Sequence, residues 1–160
     1  MNIRRMTIDD LAQVVAIDKA SFSLPWPERS FRFEISDNSA SRAWVAEEDG
    51  KVVGAIVAWL LVDEAHIATI ATHPDFRRQG IASKLLSHAL RMMMNEGALT
   101  SVLEVRESNL AAQEMYRKFG FEESGRRPRY YKDNSEDAIL MTLHDLRVNT
   151  ETGTQANKAS

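Results

Sequence analysis

Cysteine is absent from this 160-residue chain. Its absence excludes disulfide bonds, thiolate metal sites and a cysteine nucleophile together. The chain also lacks a long hydrophobic run, since its longest apolar stretch, Val52 to Val62, is well short of the roughly 20 residues that a membrane-spanning helix needs. The residues after Met1 are polar and charged where a signal peptide would be apolar, so we expect a cytoplasmic protein with no membrane segment.

Neither sign of charge dominates the sequence. The chain carries 20 Lys and Arg residues against 23 Asp and Glu residues, with a formal net charge of −3. Its one basic run, Arg126-Arg127-Pro128-Arg129, is too short to hold a nucleic acid through its phosphates and is interpreted as a solvated turn. No nucleic-acid partner is therefore expected. No metal site is expected either, because metal-ligand spacing and a carboxylate cluster are both missing around the four histidines, which are His66, His73, His88 and His144.

Hydrophobic residues make up 44% and charged residues 27% of the chain, which is the balance of one globular domain. We expect this domain to span residues 1–148 and to be followed by a polar, mobile tail over residues 149–160. The apolar periodicity and the turn residues predict the order β-α-α-β-β-β-α-β-α-β-β, and hence an α/β fold with a mixed sheet flanked by helices. The first half is predicted to contain a strand from Ile3 to Met6, helices that end near Phe22 and Ile35, and three strands, at Trp44–Ala46, from Val52 and over Ala65–Thr72. The second half is predicted to contain a helix over about Gly80–Asn95, a strand over Ser101–Val105 and a helix from Asn109 to Gly120. Two last strands, over Phe121–Glu123 and Asp137–Leu143, are connected by the basic stretch.

The most informative segment runs from Ile70 to Leu86 and is predicted to be a strand that ends in a turn and enters a helix. A proline ends the strand because it has no backbone donor, and the apolar spacing becomes helical after Gly80. The free N–H groups and the dipole of the first helical turn favour a diphosphate over this turn. Small residues at Gly80 and Ala82 would let phosphate oxygens approach, while Arg77 and Arg78 add charged donors. The alternative is an ordinary strand-to-helix turn with two solvated arginines.

The run Arg77-Arg78-Gln79-Gly80-Ile81-Ala82 matches the R/Q-x-x-G-x-G/A signature of the GNAT superfamily of acetyl-CoA-dependent N-acetyltransferases. The chain contains neither the G-x-G-x-x-G dinucleotide fingerprint nor the G-x-x-x-x-G-K-[ST] loop of nucleoside triphosphatases. Over roughly residues 1–145 the sequence resembles the ribosomal-protein-alanine N-acetyltransferases and similar enzymes that acetylate protein N-termini. Its departure from the commonest form of the motif is Ala82, where a second glycine is frequent, and the signature allows that change.

The resemblance implies a single-domain GNAT fold in which the central fourth and fifth strands splay apart. In that family acetyl-CoA is the co-substrate, and its pantetheine arm lies in the wedge against strand backbone groups that would otherwise be unpaired. Its diphosphate lies over the turn at the start of the helix. The donor-binding residues that the resemblance implies are Ile70, Ala71, Thr72, Arg77, Arg78, Gln79, Gly80, Ile81, Ala82, Ser83 and Asn109.

Two side chains are candidates for the chemistry of acetyl transfer. Glu104, in Leu103-Glu104-Val105-Arg106, is either a strand-end carboxylate paired with an arginine or a base that faces the acceptor amine. Tyr116 lies on a helix with an apolar stripe and is either a core residue or a proton donor. The resemblance implies that Glu104 is the general base and that Tyr116, in N-x-x-A-x-x-x-Y-x-x-x-G-F, is the general acid. Asn109, which starts the same helix, is either a helix cap or a contact to the donor.

The acceptor side of the site is predicted from aromatic residues in loops. Trp26, between the first two helices, and Tyr130-Tyr131, in the last hairpin, either line a peptide groove or pack over the ends of the core. Similar enzymes use this region for the first residues of the acceptor. Ser83 has no nucleophile-elbow context, so direct attack in a ternary complex is expected.

The sequence therefore predicts an acetyltransferase for the α-amine of a protein N-terminus, with a ribosomal protein that begins with alanine as the leading acceptor. The motifs that match best describe the donor, so lysine ε-amines and small-molecule amines remain alternative acceptors. A noncatalytic CoA-binding module and a nucleotide-binding regulatory domain are alternatives of a different class.

Overall fold

The structure is a computed structural model that describes residues 1–147. It contains the predicted order of strands and helices. The elements are β1 (Asn2–Arg5), α1 (Leu11–Ser21), α2 (Glu28–Ser36), β2 (Ser41–Glu48), β3 (Lys51–Leu61), β4 (Glu64–Thr72), α3 (Ile81–Asn95), β5 (Thr100–Arg106), α4 (Leu110–Lys118), β6 (Glu122–Tyr131) and β7 (Glu136–Leu143), with short 3₁₀ helices at Ile8–Asp10 and Pro74–Phe76.

The seven strands form one sheet in the order β1-β2-β3-β4-β5-β7-β6. Four neighbouring pairs are antiparallel, namely β1 with β2, β2 with β3, β5 with β7 and β6 with β7. β4 and β5 run parallel, with Glu64–Ile67 opposite Thr100–Leu103. β4 continues beyond this register to Thr72. The predicted α/β fold with a mixed, mostly antiparallel sheet is confirmed.

The chain divides into two compact units, of which the first consists of Met1–Leu60 and Ala68–Ala89. β2 and β3 supply half of one core cluster in this unit, and the apolar faces of α1 and α2 supply most of the rest. A paired charge network fixes the start of the unit, because Arg4 donates to both carboxylate oxygens of Asp10 at 2.8 Å. The buried cluster consists of Met6, Leu11, Val14, Ile17, Phe31, Ala43, Val45, Val52, Ala55 and Val57.

The second unit consists of Leu61–Ile67 and the residues from Leu90 onward. Alternation along β5 decides its geometry, since successive side chains of a strand point to opposite faces. Leu103 and Val105 are buried, whereas Glu104 and Arg106 are half-buried on the other face. The pattern of the sequence therefore places a carboxylate and a guanidinium on one face of one strand.

The last hairpin differs from the prediction. We expected a short strand over Phe121–Glu123 and then a basic loop, but β6 extends from Glu122 to Tyr131 and includes that basic stretch. β6 lies at the edge of the sheet, where Pro128 is tolerated because an edge strand has unpaired donors. The register with β7 shifts between Arg127 and Tyr131, so the strand accommodates the proline in an irregular segment.

The predicted polar tail over residues 149–160, with the last residue of the predicted domain, lies outside the described residues. Within residues 1–147, no helix has the length and apolar character to cross a membrane.

Candidate active site

The predicted strand-turn-helix segment is present in the first unit. β4 ends at Thr72, a 3₁₀ turn over Pro74–Phe76 follows, and α3 begins at Ile81. The turn between them is tight, because Arg78 and Gly80 both have positive φ values, of 65° and 75°. The first helical hydrogen bond runs from the Lys84 N–H to the Gly80 carbonyl at 3.0 Å. The first N–H groups of α3 therefore have no partner within the helix and can donate to an anion.

The surface over this turn is open at Gly80. A Cβ built on Gly80 would meet no atom within 4 Å, although the positive φ disfavours any other residue there. Ile81 is buried and anchors the helix start, while Ala82 and Ser83 are half-buried beside the open surface. This combination of free N–H groups and missing side-chain bulk suits a phosphate group.

The two arginines of the turn differ in their surroundings. The Arg77 guanidinium points to the end of α1, where its Nη2 lies 3.4 Å from the Ala20 carbonyl oxygen and 3.3 Å from the Ser21 hydroxyl. The exposed Arg78 makes no hydrogen bond or ion pair with the described residues. Arg78 is therefore the freer donor for an anion, and the predicted binding roles of both arginines and of Gln79 stay predictions.

The predicted base, Glu104, lies in the second unit on the half-buried face of β5, with its side chain 21% exposed. The Nε of Arg127 lies 3.5 Å from its Oε1. The basic run is exposed, as predicted, but the prediction of a turn was wrong, because the run lies in β6, where Arg126 pairs with Glu107 at 2.9 Å. The arginine-paired alternative for Glu104 is confirmed.

The irregular segment of β6 brings Tyr130 to this carboxylate. Arg129 has a positive φ of 54°, and its N–H donates to Asp137 Oδ1 at 3.1 Å. Burial, the charge of Glu104 and a hydrogen bond to that carboxylate raise the pKa of Tyr130. Tyr130 therefore acts as a neutral phenol beside the predicted base at neutral pH.

Arg106 and its carboxylate partners hold the ring of Tyr131 in place. Its ring stacks with the Arg106 guanidinium, which lies 3.9 Å from the ring centroid, and contacts Tyr130 edge-on at 5.1 Å. Arg106 Nη1 in turn pairs with Asp133 at 3.0 Å and Glu136 at 3.4 Å. Burial raises the pKa of Tyr131 to about 12, although the Arg106 charge opposes this rise. The ring position is thus fixed by a stacked guanidinium.

The predicted acid, Tyr116, lies on α4 with 6% of its surface exposed. Its ring packs edge-on against Phe121, with ring centroids 5.8 Å apart. Burial raises the pKa of the phenol above its ordinary value, and the charge of Tyr131 adds to the rise. Its hydroxyl makes no hydrogen bond to another described residue. Tyr116 is therefore protonated at neutral pH and has a proton to give.

Two amide side chains fix the start of α4, and one of them also bonds to the end of β5. Asn109 caps the helix by accepting from the Ala112 N–H at 3.1 Å, which confirms the helix-cap alternative. Its predicted contact to the donor stays a prediction. The buried Gln113 donates to the Arg106 carbonyl at 3.0 Å and to the Glu107 carbonyl at 2.8 Å. Our sequence reasoning missed Gln113, although a polar residue on the buried stripe of a helix is a usable signal.

Glu136 supports this site from β7, and its contacts predict a pH-dependent contribution to stability. Its carboxylate accepts from the Ser108 N–H, from Asn134 at 3.2 Å and from Arg106. The hydrogen bonds from Ser108 chiefly lower its pKa from 4.5 to about 2. Because the folded pKa is below the unfolded one, the stabilisation is complete above pH 4.5 and is lost as the pH falls towards 2.

We therefore expect Glu136→Gln to lower the free energy of unfolding at pH 7. The difference from the unmutated protein should shrink as the pH falls below about 4.5, as urea denaturation at a series of pH values can measure. Glu122→Gln is the matched control, because the exposed Glu122 makes no ion pair or side-chain hydrogen bond with the described residues. A difference that does not change with pH would contradict this role.

Trp26 lies in the first unit, in the predicted loop between α1 and α2. Its backbone N–H donates to the buried Asp18 carboxylate at 2.7 Å, and its ring packs against Phe31 with centroids 5.2 Å apart. The indole is half-buried, so part of the ring remains available for contact. Over the part of the chain that is described, no group of three or more His, Cys, Asp and Glu residues is arranged to hold a metal ion.

Comparison with known proteins identifies the family. A profile of the acetyltransferase (GNAT) family matches residues 11–121. A Bacillus subtilis protein is 37% identical over 139 residues, which cover 87% of this chain and 92% of that protein. The ribosomal protein bS18-alanine N-acetyltransferase of Escherichia coli K12 is 34% identical over 145 residues, covering 88% of this chain and 95% of its own length.

A solved structure gives the same result. The crystal structure of the ribosomal-protein-S18-alanine N-acetyltransferase from Escherichia coli matches with a TM-score of 0.83 and 33% identity, over 89% of this chain and 92% of that one. The sequence motif, the fold and the relatives therefore agree, and this chain is an acyltransferase that belongs to the acetyltransferase (GNAT) family.

Proposed function

We propose that this protein transfers the acetyl group of acetyl-CoA to the N-terminal α-amine of a protein that begins with alanine, with ribosomal protein bS18 as the acceptor. The observation that carries the proposal is the carboxylate of Glu104, half-buried and aligned by Arg127 and Tyr130 at the end of β5. The name of the E. coli relative gives ribosomal protein bS18 as its acceptor. We place the reaction in the cytoplasm, where ribosomal proteins are made.

In the proposed reaction Glu104 removes a proton from the α-ammonium group, directly or through a water molecule. The neutral amine nitrogen then attacks the thioester carbonyl, forming the C–N bond before the C–S bond breaks. The nitrogen loses its second proton to solvent as the amide forms, and this loss balances the proton that Tyr116 gives to the departing thiolate and regains from solvent. The Nε of Arg127 lies 3.5 Å from Glu104 Oε1 and orients the carboxylate that takes up the proton of the α-ammonium group. Tyr130 and Tyr131 beside this base are aromatic surfaces on which the first residues of a peptide can pack.

Tyr116 supplies the proton that the departing thiolate takes up. The phenol is buried and protonated at neutral pH, and its hydroxyl is not engaged by another described residue. Its raised pKa alone would make it a poor acid. The same desolvation also raises the pKa of a thiol that leaves beside it, so the difference between the two pKa values is smaller than burial of the phenol alone would make it.

The donor is proposed to bind through the backbone of the strand-turn-helix segment. The N–H groups from Gly80 to Ser83 and the side chain of Arg78 hold the diphosphate at the start of α3. The backbone of Ile70, Ala71 and Thr72 pairs with the amides of the pantetheine arm. The open space at Gly80 supports this assignment, since a Cβ there would project into the position of the phosphate.

The acceptor is proposed to be an α-amine because its pKa matches the available base. A peptide α-amine has a pKa near 7.7 to 8.0 against about 10.4 for lysine, so on the order of 300-fold more of it is neutral at pH 7. One carboxylate is then a sufficient base. A lysine ε-amine would need a stronger base, or further groups that lower its pKa, to lose its proton at the same pH.

An acetylation assay with paired peptides tests the proposed function. We expect thiol release from acetyl-CoA with a peptide that begins with alanine, and none when its α-amine is formylated, even if the peptide contains lysine. Thiol release with both peptides would support lysine ε-amines, and release only with small amines would support the small-molecule alternative. Acetyl-CoA binding without turnover on any amine would support the noncatalytic module.

A further inference from the structure

The first unit has a concave surface that the proposed reaction does not use. A cavity of about 450 Å³ opens between α2 and the end of β3, a volume in the range of small-molecule and side-chain sites. Three aromatic rings and two charged residues supply most of its walls. The lining residues are Trp26, Arg29, Ser30, Phe33, Glu34 and Trp59.

Glu34 gives this cavity a chemical preference. The side chain belongs to a residue with 8% of its surface exposed, and charged residues are rarely so buried unless they are paired. Trp59 Nε1 and Asn38 Nδ2 both donate to Oε2, each at 3.0 Å. Within residues 1–147, no donor bonds to Oε1 and no cation pairs with this carboxylate. The carboxylate is thus oriented by two neutral donors and lacks a counter-charge.

The unpaired oxygen is not sealed inside the protein. Among the described residues, the Ser41 hydroxyl is the one fully enclosed side-chain oxygen or nitrogen that has no partner. Glu34 Oε1 therefore retains accessible surface, and Glu34 lines the cavity. A carboxylate oxygen facing an open space between aromatic rings is suited to a guanidinium or an ammonium group.

We propose that this cavity is a subsite for a basic side chain of the acceptor protein, with arginine preferred over lysine. A guanidinium can donate to Glu34 while its flat face stacks on the indole and phenyl rings, which a lysine ammonium does less well. Arg29 also lines the cavity, but it is exposed, so water screens its charge more than the charge of the buried Glu34.

The inference rests on the proposed function, because it takes a protein N-terminus as the acceptor. Trp26 links the cavity to the predicted acceptor site, since it lines the cavity and belongs to the loop that we expect to contact the acceptor. The hydrogen bond from the Trp26 backbone N–H to the buried Asp18 carboxylate holds that loop in place. A ribosomal acceptor is also the right kind of partner, because proteins that bind RNA carry Lys and Arg to neutralise phosphates.

An arginine scan of the acceptor peptide tests the subsite. Peptides that begin with alanine and carry one arginine at each successive position of an uncharged sequence are compared with the same peptides carrying glutamine. We expect one position at which arginine lowers KM about tenfold while kcat changes less than about twofold. Lysine at that position should give a smaller gain.

Variants of α2 then assign the effect to the cavity. Glu34→Gln keeps an oxygen that can accept from Trp59 and Asn38, and it should abolish the KM ratio between the arginine and glutamine peptides. Glu28→Gln is the matched control, because Glu28 lies on the same helix, is exposed and pairs with Arg32 at 3.0 Å. This control should keep the full ratio. The ratio is measured within each variant, so a general loss of folded protein does not affect it.

The outcomes separate this inference from the proposed function. If the unmutated protein acetylates the α-amines of all the peptides without favouring arginine at any position, the subsite is wrong and the function stands. A preference for arginine that survives in Glu34→Gln would also overturn the subsite. If no peptide α-amine is acetylated, the proposed function itself fails.

Discussion

Replacing Glu104 with glutamine is expected to slow acetyl transfer about 10²- to 10⁴-fold at pH 7 while leaving acetyl-CoA affinity nearly unchanged. Glutamine keeps the size of the side chain and an oxygen that Arg127 can contact, but it cannot accept the proton of the acceptor amine. Raising the pH to about 9 should restore part of the rate, since most of an α-amine with a pKa near 8 is then already neutral.

The measurement is a steady-state rate against pH, with acetyl-CoA binding followed by calorimetric titration. Glu107→Gln is the matched control, because Glu107 follows β5 and pairs with Arg126 of β6 as Glu104 pairs with Arg127. This control should retain the unmutated rate. Tyr116→Phe should also slow turnover, without recovery at high pH, because it removes a proton donor and not a base. Unchanged rates in Glu104→Gln across the pH range would remove the assigned role.

Replacing Gly80 with valine is expected to weaken acetyl-CoA binding by about 2–4 kcal/mol, or roughly 30- to 1000-fold in Kd. The Cβ position of Gly80 is empty of protein atoms within 4 Å, so branched carbons there would project into the space assigned to the diphosphate. They would also screen the first N–H groups of α3 from an anion. Isothermal titration calorimetry with acetyl-CoA measures the loss.

The positive φ of Gly80 calls for a control that separates strain from steric exclusion. Gly50, in the β2–β3 hairpin, has a φ of 79° against 75° for Gly80, and its Cβ position is equally open. Gly50→Val should therefore cause a similar loss of folding stability, with acetyl-CoA affinity unchanged. Equal affinity in folded Gly80→Val and in Gly50→Val would mean that the diphosphate binds elsewhere.

Most of the fold could be predicted from local signals in the sequence. Alternation and apolar periodicity identified the strands and helices, and the Asp49-Gly50 turn identified the hairpin between β2 and β3. β6 was underestimated because its residues Arg126 to Tyr131 carry charge and a proline, which argue against a strand. Their pairing with β7 decides the structure of that segment, and this pairing is not visible in the local sequence.

Motifs in the sequence predicted some residues of the site, but they did not predict the contacts that these residues make. Glu104 and Tyr116 follow from motifs, and the structure adds that Tyr116 is buried whereas Glu104 is half-buried beside Arg127. The contact of Arg127 with Glu104 depends on the register of β6 with β7 and of β7 with β5, so no spacing in the sequence reveals it. Glu34 was missed for a similar reason, because its partner Trp59 is 25 residues away on another element.

Mass spectrometry of acetylated bS18 tests the central claim most directly. The protein is incubated with acetyl-CoA and intact bS18, in which any lysine offers a competing ε-amine, and peptide fragmentation then locates the acetyl group. We predict one acetyl group, on the α-nitrogen of the N-terminal alanine, with the lysine side chains unmodified. Acetyl groups found mainly on lysine side chains, or no transfer to bS18 while other amines are acetylated, would contradict the proposed acceptor.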